Sequence, residues 1–307
     1  MKTAKLFMLD RGGGLKVVES KTLPSRLFDV FNYAALSLIG LITVLPFVHV
    51  VASSFATTAE IARKGFVLFP TEWSFSAYDY IFSTDSFLRG MLNSVGVTAA
   101  GTLFSMAVTC LMAYGLSRKD LDGGRQIMFL VVFTLLFHGF LIPTFLVVRE
   151  LHLIDSYGSL ILPVTVNALN LIILRSFFRT IPEGLEESAK MDGCSDFGTL
   201  LRIVLPLSLP ALATVSLFYA VSYWNSYINA VLYLNDSHKW PIQVILRQIV
   251  IVSEGLTVDN AAVDSSPPPA QSIKMAAIFI ATVPVLVVYP YLQKYFTKGA
   301  LLGSVKG

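Results

Sequence analysis

Four histidines, His49, His138, His152 and His238, lie in separate stretches of a 307-residue chain. They have no metal-ligand spacing, and no Ser/His/Asp order sets up a nucleophile. A phosphate-binding G-x-x-x-x-G-K-[ST] loop is absent, as is the dipeptide Gly-Lys, so ATP hydrolysis would belong to another chain. The chemistry on offer is recognition. In the apolar run 207–234, a projection at about 100° per residue sets Tyr219, Tyr223 and Tyr227 on one arc with Ser216, Ser222, Ser226, Asn225 and Asn229 adjoining. Val221, Trp224, Ile228, Val231 and Leu232 fall opposite. Hydroxyls, amides and aromatic faces suit a sugar route without any charged group. The same residue types also anchor helices at a membrane interface or join helix to helix, and the pattern leaves both readings open. Asn167 and Asn170, in an earlier apolar run, are candidates for the same route.

The stretch Ile181–Leu212 offers docking instead. Pro182 fits the first position of a helix, Glu183, Glu186 and Glu187 sit near its positive end, and Glu186 precedes Lys190 by four residues, the spacing of an ion pair. Gly193 ends that helix, which would run about 11 residues, or roughly 16 Å, with Ile181, Leu185 and Ala189 on one face. Cys194–Arg202 reads as a second short helix, and Pro206 and Pro210 open the next apolar run. So polar a pair cannot cross hydrocarbon. It would present a small apolar ridge with an acidic rim.

The elements that must position these residues are membrane spans. With 54% hydrophobic and 14% charged residues, the chain has more apolar side chain than a soluble core of this length can use. Six runs are long enough to cross: about 27–55, 87–116, 126–148, 157–178, 207–234 and 274–296. Pro46 is expected to kink the first, and Gly139 and Pro143 to bend the third; Gly96, Ala99, Ala100, Gly101 and Ala107 should let helices approach the second. Residues 1–26 read as a flexible cytoplasmic tail, 27–297 as an all-α six-helix domain interrupted by the loop 181–205, and 298–307 as a second cytoplasmic tail. The two ends of the chain, taken as 1–26 and 294–307, and the stretches 117–125 and 175–202 hold 16 of the 23 Lys and Arg residues, which places them in the cytoplasm. The outer segment 235–273 carries an amphipathic stretch at 242–252 and a Ser/Pro linker at 265–269. A net charge of +3 with dispersed cations argues against nucleic acid as a ligand, and Cys110 and Cys194 are too far apart in sequence to suggest a disulfide.

The run Glu187-Ser188-Ala189-x-x-Asp192-Gly193, then nine residues, then Ile203-x-Leu205-Pro206, resembles the EAA loop of the membrane subunits of bacterial ATP-binding-cassette importers, with Ser188 standing where that family usually has Ala. Trp224-Asn225-x-Tyr227, the turn Ala113-Tyr114-Gly115-Leu116-Ser117-Arg118 and the closing Gly303-Ser304-Val305-Lys306-Gly307 are similar to the carbohydrate-uptake group. Gly139-Phe140-Leu141-Ile142-Pro143-Thr144 is similar to its polysaccharide-fragment branch, which takes up oligosaccharides such as aldouronates or alginate fragments. The resemblance implies a type I permease that binds no cofactor itself. Its partners would be a second, homologous membrane subunit, two ATP-binding subunits that hold ATP and Mg, and an extracytoplasmic solute-binding protein. The EAA residues would then couple the chain to its ATPase. Alternatives are an importer permease for another neutral solute, or a membrane scaffold that recruits a soluble partner; an embedded enzyme would need an acid, base or metal cluster that the spans do not offer.

Overall fold

Three of the six apolar runs, the first, second and sixth, become long unbroken helices in the computed structural model, which describes residues 5–9, 15–19, 23–137, 139–255 and 270–304. Helices α1 (Leu23–Ser54), α4 (Asp85–Ser117) and α15 (Ala270–Ser304) have 32, 33 and 35 residues. Each is roughly 50 Å long, well beyond the ~30 Å of a hydrocarbon core. Helix α1 runs on through Pro46, and α15 through Pro284 and Pro290.

The other three spans are broken. Helices α5 (Gly124–Leu136) and α6 (Leu141–Glu150) are separated around residues 137–140, beside the Gly139 and Pro143 expected to bend this run; His138 lies outside the described residues. Helix α7 (Gly158–Ile161) passes through a 3-10 turn to Val164 and meets α8 (Ala168–Phe178) at 53°. The fifth span, expected to be one helix over 207–234, is instead α12 (Leu209–Trp224) and α13 (Tyr227–Tyr233). Between them Ser226 adopts φ −75° and ψ 68°, and the Tyr227 amide donates to the Asn225 carbonyl at 2.8 Å. This is an inverse γ-turn, and it interrupts the 3.6-residue period on which the projection relied.

Short elements join the spans. Helices α2 (Thr58–Lys64) and α3 (Ser76–Ser83) precede α4, and α14 (Ile242–Gly255) precedes α15. The amphipathic reading of 242–252 matches α14, which buries Ile242, Val244 and Ile245. The Ser/Pro linker at 265–269 lies outside the described residues. The N-terminal tail departs from expectation: β1 (Lys5–Leu9) and β2 (Leu15–Glu19) pair antiparallel, with Lys5 opposite Glu19 and Leu9 opposite Leu15. Phe7, Val17 and Val18 favour extended backbone, a preference that a search for helical periodicity misses.

Helix α4 is the central rod. It packs along α12 and α8 and receives α14, while α15 packs on α1, α12 and α14. The main core joins Ala113 of α4, Leu171 and Leu174 of α8, and Val215 of α12, all fully enclosed. A second joins Ile81, Phe87, Trp224, Ile242 and Ala276. Most of α1 stays bare, with Leu27, Phe31 and Leu41 exposed, as suits a helix facing lipid or another subunit. Among the small residues of α4 expected to admit a neighbour, Gly101 does so: a Cβ there would sit 2.8 Å from the Tyr223 ring; Gly90, on the same helix, likewise admits Ile245 of α14. Gly96 has nothing within 4 Å, and Ala99, Ala100 and Ala107 are exposed.

Candidate coupling loop and transport pathway

The polar loop forms helix α9 (Glu183–Met191), with Pro182 as its extended N-cap rather than its first helical residue. Its C-terminus is closed by a paired bond arrangement. The Cys194 amide donates to the Ala189 carbonyl at 2.9 Å and the Gly193 amide to the Lys190 carbonyl at 3.0 Å, with Gly193 at φ +80°. This Schellman motif needs a left-handed residue, which glycine supplies without a Cβ penalty. Ser195 then caps α10 (Asp196–Thr199), accepting from the Gly198 amide at 3.2 Å. A π-helical turn over Leu200–Val204 and the short α11 (Leu205–Leu207) lead to an 88° corner at α12. The second short helix expected over 194–202 is thus shorter and changes its winding midway.

The expected Glu186–Lys190 pair does not form. Glu186 turns inward, only 6% exposed, and pairs with Arg118, the C-cap residue of α4; Lys190 pairs with Asp196 at 3.1 Å across the loop surface. The Arg118 guanidinium also donates to Ser117 Oγ at 3.0 and 3.3 Å and lies 4.4 Å over the Tyr114 ring. The Asp196 carboxylate raises the Lys190 pKa. A cleft of about 270 Å³ opens between α4, Arg179 and α9. Ile181 and Ala189 are buried, but Leu185 is 46% exposed, so the apolar face divides. The exposed large apolar side chains of the loop are Leu185, Met191, Phe197 and Leu201. Around them Glu187, Ser188, Asp192 and Gly193 are exposed, as is Pro206 further along, while Ile203 and Leu205 are half-buried.

The tyrosines of α12 point into the helix bundle. Tyr219 OH bonds Thr109 Oγ1 at 2.8 Å and accepts from the Asn167 amide at 3.1 Å. Tyr223 OH bonds Ser105 Oγ at 2.7 Å and donates to the Ile161 carbonyl at 3.3 Å. Two phenols therefore hold α4 and α12 together and satisfy backbone groups beside the break between α7 and α8. Such bonding is what a broken helix needs in hydrocarbon. Asn167 Oδ1 caps α8 by accepting from the Asn170 amide at 3.1 Å, and Asn170 itself is buried.

The remaining candidates lie at the γ-turn. Asn225 is exposed, with Nδ2 donating to the Val221 carbonyl at 2.9 Å, and Tyr227 and Asn229 are half-buried on α13. Ser226 Oγ is enclosed and, among the described residues, without a hydrogen-bond partner, as are Thr98 and Thr102 of α4 on either side of Gly101. Of the side chains projected opposite, Val221, Ile228 and Val231 are exposed, Leu232 is half-buried, and Trp224 is buried in the second core.

Two further polar nodes carried no motif. Glu60 is wholly enclosed, yet it accepts from Lys64 Nζ at 2.7 Å, from the Thr71 amide at 2.9 Å and hydroxyl at 2.8 Å, and from the Glu72 amide at 3.1 Å. The Lys64 ammonium first, then the Thr71 amide, outweigh desolvation and hold its pKa down to about 2. Asp155, at φ +60°, accepts from Lys239 Nζ at 2.8 Å and from the Asp236 amide at 3.0 Å, which lowers its pKa. Only the i,i+4 spacing of Glu60 and Lys64 was visible beforehand. Nearby, Asn93 donates to the His238 carbonyl at 2.8 Å and accepts from Tyr157 OH at 2.9 Å. His49 Nδ1 accepts from the Val67 amide at 3.1 Å.

A bundle of spans carrying an exposed, rigidly terminated polar helix is an arrangement that suits a membrane transport subunit. The chain belongs to the family described as "Binding-protein-dependent transport system inner membrane component", whose model matches residues 124–301. It is 62% identical over 286 residues to the polygalacturonan/rhamnogalacturonan transport system permease protein YtcP of Bacillus subtilis (strain 168), covering 93% of this chain and 100% of that one. It is 49% identical to protein LplC of the same organism, over 93% of this chain and 97% of that one. Among solved structures, a chain of a bacterial ABC transporter involved in the import of the acidic polysaccharide alginate superposes with TM-score 0.81 and 30% identity, over 90% of this chain and 98% of that one. The fold is therefore the type I importer permease fold, and the chain is a non-catalytic membrane subunit of an ABC importer.

Proposed function

We propose that the chain forms one half of the translocation route for an oligosaccharide and couples that route to a separate ATPase. The substrate reading is supported by the name of its 62% identical relative, a polygalacturonan/rhamnogalacturonan permease, and by the alginate importer whose chain shares its fold. The observation that carries the coupling reading is the exposed helix α9, closed by a Schellman motif and presenting Glu187, Ser188, Asp192 and Gly193 to the outside. The partners are a second, homologous membrane subunit, two ATP-binding subunits that hold ATP and Mg, and an extracytoplasmic solute-binding protein. ATP-driven closure of the ATPase pair would push α9 and turn the helices from inward-facing to outward-facing. Driving such a switch from 1:99 to 99:1 requires roughly 5.5 kcal/mol of differential interaction, which a rigid docked helix can transmit.

Asn225, Tyr227 and Asn229 at the γ-turn, with the enclosed hydroxyls of Ser226, Thr98 and Thr102, form this half's polar wall of the route. Tyr219, Tyr223, Asn167 and Asn170 act behind that wall by fixing the helices. The termini and α9 lie in the cytoplasm, in keeping with the placement of Lys and Arg. Purification of the assembled complex from native membranes, followed by identification of the ligand on its binding protein, tests the assignment. An oligouronide or related oligosaccharide is expected; an amino acid, or a complex lacking an ATPase, would overturn it.

A further inference from the structure

We propose that Arg118 and Glu186 form a strut by which displacement of α9 reaches α4, making both positioning residues for coupling; this rests on the ATPase-docking reading above. The geometry favours a stiff link over an incidental pair. Glu186 is enclosed, and Arg118 is held on three sides, by the Glu186 carboxylate, by Ser117 Oγ and by the Tyr114 face. Ser117 Oγ in turn donates to the Tyr114 carbonyl at 2.7 Å, and Arg175 of α8 donates through Nε to the Leu116 carbonyl at 2.7 Å, so the last turn of α4 is pinned from both sides. A planar guanidinium held in this way cannot swivel to absorb motion as an ammonium on a flexible stem does. The Lys190–Asp196 pair lies on the loop surface, where solvent and salt screen it.

From that turn α4 continues as one 33-residue helix, and the phenols of Tyr219 and Tyr223 bond to it along the way. At its outer part Ser94 Oγ accepts from the Ile242 amide at 2.8 Å. One rod thus connects the docking helix, the broken spans and the outer helix α14. The pair was hidden from sequence because its members are far apart in the chain.

The test uses the assembled complex in proteoliposomes, comparing Arg118→Lys, Glu186→Gln and the exchanged pair Arg118→Glu/Glu186→Arg with the parent. The measured quantities are complex yield, solute-stimulated ATP hydrolysis and solute moved per ATP. Stimulation and solute per ATP should fall roughly 5-fold or more in each single variant, and the exchange should recover a substantial part of both. Retained ratios in both single variants overturn the proposal, as does loss of yield alone with normal ratios per complex. An exchange no better than the single variants also overturns it. Should Glu187→Ala uncouple the complex while Arg118→Lys stays normal, the strut fails and ATPase docking stands. Were the parent complex to show no solute stimulation, both would fall.

Discussion

Tyr223 illustrates how one residue can meet two expectations at once. Its ring lies over Gly101 and its hydroxyl joins Ser105 to the Ile161 carbonyl, so its polar atom is engaged inside the protein. Tyr223→Phe should lower the thermal stability of the purified complex by about 0.5–1.5 kcal/mol and leave uptake nearly unchanged. Tyr223→Ala empties a packed site, at about 3–5 kcal/mol, and should reduce assembly itself. Asn225→Ala, at an exposed position on the γ-turn, should impair uptake in normally assembled complexes, whereas Ile228→Ala, whose side chain is 60% exposed, should do little to either. Equal transport defects at Asn225 and Ile228 would contradict the wall assigned here. Glu60 gives a pH-dependent test. Its folded pKa of about 2 lies below the ordinary 4.5, so the stability it lends is complete above the ordinary value and is lost as pH falls from about 4.5 to about 2. The protection of the Thr71 and Glu72 amides against hydrogen exchange, taken relative to the intrinsic rate at each pH, should fall through that window, and Glu60→Gln should show reduced protection already at neutral pH.

Among the elements, α9 depends on its last residues more than on its first. Gly193→Val forces a β-branched side chain into a left-handed conformation at a cost of at least about 1–2 kcal/mol, enough to redirect α10 and the turn after it. Limited proteolysis should then cut the 192–198 segment faster while the spans stay protected. The C-terminal end of α9 was legible in the sequence because capping is local and Gly193 after Lys190 is a sufficient signal; at the other end Pro182 marked the start one residue early, since it is the cap and Glu183 the first helical residue. The partner of Glu186 was not legible, since an i,i+4 rule weighs Lys190 alone and cannot see the Arg118 guanidinium brought up by the end of α4. Spans were legible by length and hydropathy. The break at 225–226 was not, because a γ-turn closes it with no glycine or proline at the turn, and at 165–167 Pro163 was the one local signal, while the partners of the freed backbone groups, Tyr219 and Tyr223, lie far along the chain.

The whole molecule is a rod-centred subunit of an ABC importer, and bare α1 shows how much of its surface awaits lipid or protein. Orientation is tested by labelling single cysteines in a background lacking Cys110 and Cys194. An impermeant reagent added outside should modify Ser83→Cys, at the exposed end of α3, and miss Ser188→Cys on α9; the reverse would invert the topology. The central claim is that α9 passes the closure of a separate ATPase to this chain, and solute-stimulated ATP hydrolysis by the reconstituted complex tests it most directly. Glu187→Ala and Gly193→Val should abolish most of that stimulation together with uptake, while the binding protein keeps its affinity for the oligosaccharide. If both variants, fully assembled, hydrolysed ATP and transported solute as the parent does, or if the purified chain hydrolysed ATP alone, the claim would be contradicted.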